Sequence, residues 1–359
     1  MEKAHLDFET RGAVDLLKVG AYRYVEDKDT DIWLFSWRLG SGPINRWLPG
    51  SPPPTALLEH IAAGGVVTAH NAVFERLVWN SVLRRTAGCE SYPRLTIAQM
   101  DCTMSRSLAI HLPADLDTLA KALDLSEQKD TEGHTLMRKM AKPRKRNDDG
   151  TFVWWDDQSN IDRLAVYCDQ DVLTECAVDA RLPPLSADER RLWELDQKIN
   201  DRGIALDLPT IHACVEVLEI AQTRAHARMN ELTGGAVRKC SEALRIVEWL
   251  NSRGISATSI AKSEHGELKA FADLAGDDVA REVIELRAEA AKSSTAKYTR
   301  MLQVACEDGR ARGLLAYHRA HTGRWGGALL QPQNLPSFDE DTDLNGILGT
   351  IDIMEDTVC

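Results

Sequence analysis

The chain has 359 residues, 43% of them hydrophobic, which is enough to form two globular cores. A formal net charge of −12 excludes a passive, non-specific coat for nucleic acid. It does not exclude a nucleic-acid enzyme, whose contacts depend on local rather than total charge.

The first forty-eight residues read mainly as strands. "AHLDFET", "GAYRYVED", "DIWLFSWRL" and "INRWLP" are short, rich in β-branched and aromatic residues, and separated by Gly, Asp and Pro. "SPPP" opens a helix over Thr55–Ala63, and "GGVVTAH" is a further strand. "NAVFERLVWNSVLRR" is a helix with Val73, Leu77, Val78, Val82 and Leu83 at helical spacing. From about Asp115 to Arg181 the pattern is mostly helical, so the first half predicts an α/β domain around a mixed sheet. Inside it, Arg138, Lys139, Lys142, Arg144, Lys145 and Arg146 form a basic run, which reads equally as a solvated loop or as a phosphate contact. "RLPPLSADE" at 181–189 marks the boundary, with two prolines to stop a helix and Ser186 and Glu189 to start the next. The chain is then mostly helical to about Met301.

No run of 18 apolar residues and no secretory leader occurs, so the sequence predicts neither a membrane span nor export, and a cytoplasmic location. Its eight cysteines include no C-x-x-C pair and read as reduced thiols.

The acidic residues carry the chemistry. Asp7 and Glu9 lie two apart in a strand, so both side chains leave one face while Phe8 points into the core. With 55 acidic residues, chance alone yields about eight such pairs, so this one identifies nothing by itself. Two further pairs fit it. Asn71 and Glu75 are four apart at a helix start, and Tyr167 and Asp171 are four apart within a helix. Taken singly, Asn71 is an N-cap and Tyr167 a core residue. Taken together, the carboxylates of Asp7, Glu9, Glu75 and Asp171 would repel one another unless cations neutralise them. All-oxygen ligands suit Mg²⁺ or Mn²⁺, and two such ions can activate a water and stabilise a leaving oxygen in phosphodiester hydrolysis. Tyr167 would orient that water. His70 reads as local packing, and Asp169 faces elsewhere on its helix.

Asp7-x-Glu9, Asn71-x-x-Phe74-Glu75 and Tyr167-x-x-x-Asp171 resemble the three motifs of the four-carboxylate 3′–5′ exonucleases. More narrowly, they resemble the tyrosine subtype that forms the proofreading domain of family A DNA polymerases, with a ribonuclease H-like fold. The resemblance implies that Asp7 bridges two metal ions, that Glu9 and Asp171 hold the one activating water, and that residue 75 serves the second. The family usually has aspartate at the position of Glu75, whose longer arm implies altered geometry. Asn71 and Phe74 would contact DNA.

The second half extends the likeness. "LWELDQKINDRGIALDLPTI" (192–211) resembles the start of the polymerase part of these enzymes, and 282–302 resembles a thumb helix. That helix carries Lys292 and Lys297 beside Ser293 and Ser294, which suits phosphate contacts. "HTGRWGG…QPQNLP" is too polar for a core strand and too rich in Gly and Pro for a helix. It resembles the segment that grips the primer–template duplex, with Thr322, Arg324, Gln333 and Asn334 as DNA contacts. Phage and prophage versions are the most similar.

The expected organisation is therefore an exonuclease at 1–183, a thumb and polymerase start at 184–336, and an acidic tail at 337–359. Nothing in the sequence resembles the D-Y-S-x-x-E palm motif or a fingers helix, so this chain alone is expected not to synthesise DNA. Two other readings are a catalytically silent DNA-binding half of a split polymerase, with palm and fingers on another polypeptide, and a stand-alone RNA-trimming exonuclease.

Overall fold

The structure, a computed structural model, describes residues 2–126, 130–290, 295–320 and 322–335, with Asp343 and Gly346. Lys292, Ser293 and Ser294 lie outside the described residues, as do the tail acids Asp339, Glu340, Asp341, Asp352, Glu355 and Asp356. Two compact units are present: Met1–Leu206 with Gln303–Pro336, and a second that includes Asp207–Leu302.

The first unit is built on a five-stranded mixed sheet, ordered β3-β2-β1-β4-β5. β1 (Ala4–Arg11) pairs antiparallel with β2 (Asp31–Leu39), which pairs antiparallel with β3 (Ile44–Trp47). On its other side β1 pairs parallel with β4 (Val67–Ala69), which pairs parallel with β5 (Met100–Cys102). A parallel neighbour needs a crossover, and the chain between β3 and β4 contains α2 (Thr55–Ala62).

"GAYRYVED" is not a strand. It lies in α1 (Leu16–Glu26), whose N-cap Asp15 accepts the Leu17 N–H at 3.0 Å and whose axis kinks at Gly20 (φ 80°). Beyond the kink fewer than two turns remain, and burial of Tyr22 and Tyr24 there imitates the period of a strand. α3 (Ala72–Leu77) continues into a π-helical turn at Val78–Val82, and α4 (Thr103–Ala109) follows β5.

The helical stretch before the boundary comprises α5 (Leu116–Ala122), α6 (Thr131–Met140) and α7 (Gln158–Arg181). A small hairpin interrupts it: β6 (Lys145–Arg146) pairs with β7 (Phe152–Val153). α7 covers one sheet face, burying Leu164, Tyr167 and Cys168 against Trp33, Leu34 and Met140. On the opposite face Phe8, Phe35 and Trp47 pack in sequence, with ring centroids 4.9 and 5.2 Å apart, the first pair tilted and the second stacked. Each such fully buried aromatic contributes roughly 1.5–3 kcal/mol of transfer free energy, which pins the register of β1.

Ser186 starts α8 (Ala187–Arg202) by accepting the Glu189 N–H at 3.2 Å. The helix ends at Gly203 (φ 64°), where a side chain would collide with the Ala311 carbonyl. β8 (Ile204–Ala205) then pairs with β9 (Arg310–Ala311). The second unit packs α9 (Leu208–Leu232), α10 (Ala243–Ser252), α11 (His265–Leu274) and α12 (Asp278–Ala290) around Met229, Ile246, Leu250, Leu268, Val283 and Ile284. The helix expected at 282–302 is α12 and α13 (Thr295–Val304), with 291–294 outside the described residues. After β9, β10 (Leu315–Ala316) pairs with β11 (Gly326–Gly327).

Candidate active site

Strand period puts Asp7 and Glu9 on the sheet face that α7 covers, since their partners across β2 are Ser36 and Leu34. The β1–β2 register shifts between Glu9 and Thr10, a bulge of the kind that re-aims side chains beside sites. From α7, the Tyr167 hydroxyl interacts with the Asp171 carboxylate one turn on. Burial above all, then Asp171 and Glu9, push the phenol far up, so it stays protonated and remains a donor.

Glu75 enters from the first turn of α3 and is buried. Burial first, then the charges of Asp7, Glu175 and Glu9, hold its carboxyl well above the usual carboxylate range. Its Oε2 has no hydrogen-bond partner among the described residues. Asp7, Glu9, Glu75, Tyr167 and Asp171 all line one cleft of about 460 Å³. Apolar walls come from Leu17, Phe74 and Met137, and Arg138 and Lys142 stand at its margin.

Two members of the cluster are not apparent in the motif spacing. The Cys168 thiol donates to the Asp7 carboxylate and to the Asp7 carbonyl, both at 3.3 Å. Ligand atoms of Asp7, Glu9 and Cys168 lie within 4.8 Å of one another. Burial, then Asp7 and Glu9, push this thiol well up, so it acts as a hydrogen-bond donor to Asp7 rather than as a thiolate. Glu175, one turn beyond Asp171, is also buried, and burial followed by Asp7 raises its carboxyl. Near it Asp179 accepts from His5 and Lys3, at 3.2 and 2.9 Å, and from Arg106. Burial alone would raise the Asp179 carboxyl, but these donors carry it far below the usual range. The i+4 ladder Tyr167, Asp171, Glu175 is the signal that leads to Glu175.

The donor set fits a hard divalent cation: carboxylates converge, burial and then the neighbouring charges oppose the ionisation of Glu75, and it keeps a buried oxygen without a partner. Asp7, Glu9, Glu75 and Asp171 are the residues that would hold it.

Asn71 occupies the N-cap position of α3, but its backbone is left-handed (φ 71°) and its side chain does not cap. It lines a neighbouring cleft that shares Phe74, not the carboxylate cleft. His70 packs locally, with Nδ1 2.9 Å from Thr103 Oγ1 and Nε2 2.7 Å from the Ala114 carbonyl. Asp169 faces away, accepting from Ser36 at 2.6 Å and from Arg46 at 2.6 Å.

Thr322, Arg324, Gln333 and Asn334 are exposed, and none lines the carboxylate cleft. Gln333 packs on Gly327, where a side chain would collide with it, and Asn334 donates to Gln331 at 2.8 Å. Lys297 is half-buried on α13, in the second unit. In that unit Arg287 donates to the Cys240 carbonyl at 3.2 Å, which gives this cation a structural role.

No protein-family model matches the sequence. The chain is similar to a DNA polymerase of Bacillus phage SP02, with 35% identity over 364 residues, covering 97% of this chain and 54% of that protein. Among solved structures it is similar to the POL domain of Pol1 from M. smegmatis, solved in complex with DNA primer-template and dNTP. There the identity is 15% and the TM-score 0.50, covering 93% of this chain and 53% of that one. The chain thus spans about half the length of these relatives. Among the described residues no helix is long and apolar enough to cross a membrane.

Proposed function

We propose that the chain is a family A DNA polymerase-like protein and that its carboxylate cleft is a metal-dependent 3′–5′ exonuclease site acting on DNA. The observation that carries this reading is the convergence of Asp7, Glu9, Glu75 and Asp171 on one cleft with the Tyr167 hydroxyl among them. We assign residues 1–183 to a ribonuclease H-like exonuclease domain and 184–336 to a thumb and polymerase start, with Thr322, Arg324, Gln333, Asn334, Lys292 and Lys297 as DNA contacts.

Each residue has a part in hydrolysis of the terminal phosphodiester. Asp7, Glu9, Glu75 and Asp171 would hold two Mg²⁺ or Mn²⁺ ions, which when bound supply Lewis acidity and lower the pKa of water. Tyr167, kept protonated, orients the attacking water through its hydroxyl. The Cys168 thiol holds Asp7 in place. Leu17, Phe74 and Met137 give the terminal base an apolar seat.

The test is a 5′-labelled single-stranded DNA oligonucleotide incubated with the chain and Mg²⁺. The expected result is a ladder shortened from the 3′ end, absent in EDTA and in Asp7→Ala. Persistent full-length product, or trimming that Asp7→Ala leaves intact, overturns the reading. Faster trimming of an RNA probe would move the substrate to RNA.

A further inference from the structure

We propose that the α6–β6–β7 segment is a track for single-stranded DNA leading a 3′ end into the carboxylate cleft, an inference that rests on the nuclease reading above. From Arg138 to Arg146 the chain has six cations and no acid. All six, Arg138, Lys139, Lys142, Arg144, Lys145 and Arg146, are exposed.

Elsewhere in the first unit, several arginines pair with carboxylates: Arg11 with Asp31, Arg46 with Asp169, Arg76 with Asp201 and Arg312 with Asp308. Along the track, among the described residues, only Lys142 has a carboxylate at ion-pair distance, Asp15 at 3.4 Å. Three of the others lean on aromatic faces. Lys139 Nζ lies 3.9 Å from the Trp155 ring centre, Arg144 stands 5.0 Å from the same ring, and Arg146 stands 5.8 Å from Phe152. An aromatic face positions a cation without neutralising it, so the positive potential persists for a polyanion.

The track is fixed to the strand that carries the acids. The Gly12 N–H, just past β1, donates to the Ala141 carbonyl at 3.1 Å, and Trp33 Nε1 donates to the Met140 carbonyl at 3.1 Å. Beyond that anchor, the Arg144 N–H donates to the Val153 carbonyl at 2.8 Å, closing the hairpin. Arg138 and Lys142 themselves line the carboxylate cleft, so the basic run is continuous with its margin. A cleft of about 460 Å³ lined by the acids matches the size of a terminal nucleotide. The occupant that suits both the charge of the run and the volume of the cleft is a single strand.

The experiment is fluorescence anisotropy of labelled oligo(dT) with the full chain in EDTA, across a range of salt. Lys145→Gln/Arg146→Gln should weaken binding about tenfold at low salt and flatten the log Kd against log[salt] slope by about 1.4, near 0.7 for each phosphate that is no longer neutralised. Lys145→Glu/Arg146→Glu should weaken it further. Arg138→Gln/Lys142→Gln should behave like the first pair. Wild-type affinity and slope in all three variants overturn the proposal. So does a weakening confined to a duplex probe, which assigns the run to duplex DNA. Because no hydrolysis occurs in EDTA, variants that bind oligo(dT) more weakly while the wild-type chain never trims DNA overturn the nuclease reading and leave the track standing.

Discussion

Gly133 lies against Tyr167 so closely that a Cβ there would fall 2.6 Å from the tyrosine Cδ2 and 2.8 Å from its Cβ. α6 can therefore rest on the ring only where it carries no side chain. We predict that Gly133→Ala destabilises the protein by about 1–3 kcal/mol, the usual cost of overpacking, and that the displaced hydroxyl slows trimming. Urea unfolding and single-turnover hydrolysis measure the two effects. Wild-type values for both would mean that the ring is not held by this packing.

Asp7 sits where the sheet, Glu75 and α7 meet, and it influences Glu75, Glu175, Tyr167 and Cys168 alike. Asp7→Asn keeps its shape and removes its charge. The expected loss is about 4 kcal/mol or more of transition-state stabilisation, on the order of 10³-fold in rate. Single-turnover trimming in saturating Mg²⁺ checks it, and a loss under about tenfold would remove Asp7 from the centre of the mechanism.

Glu75 costs stability when no cation is bound, because burial and then Asp7, Glu175 and Glu9 oppose its ionisation. Glu75→Gln keeps the size and shape of the side chain and removes the charge. The metal-free variant should melt at a higher temperature than wild type. Mg²⁺ should raise the melting temperature of wild type and do so less for the variant, since a ligand stabilises only the state that binds it. Equal Mg²⁺ responses would place the ion elsewhere.

These relationships were unevenly legible in the sequence. Asp7 with Glu9, and Tyr167 with Asp171, could be read because spacings of two and four have geometric meaning in strand and helix. Asn71 could not be placed, because a left-handed residue at a helix start turns its side chain off the helix face that the spacing implies. The β6–β7 hairpin has two residues per strand, too few for any periodicity to register. Cys168 joins the site through the packing of α7 on β1, which is tertiary information, whereas Glu175 continues the i+4 ladder of Tyr167 and Asp171. For α1, Gly20 ends the first helical turns before their period can be recognised.

Asp196, on α8 and away from the carboxylate cleft, gives the protein a pH-dependent stability. Only 2% of it is exposed, its Oδ2 accepts from Gln197 at 2.9 Å and Asn200 at 3.2 Å, and its Oδ1 has no partner among the described residues. Burial outweighs both hydrogen bonds and pushes the carboxyl up to about 6. In the unfolded chain it titrates near 3.9. Between those values the folded state binds more protons than the unfolded one, so stability falls as pH rises through this window and levels off above it. About two units corresponds to roughly 3 kcal/mol from this residue. Asp196→Asn, neutral at every pH, should lose that part of the slope and exceed wild type in stability at neutral pH while matching it near pH ~4. Urea unfolding across the window decides the matter: parallel curves for variant and wild type would mean that Asp196 is hydrated and ionises normally in the folded protein.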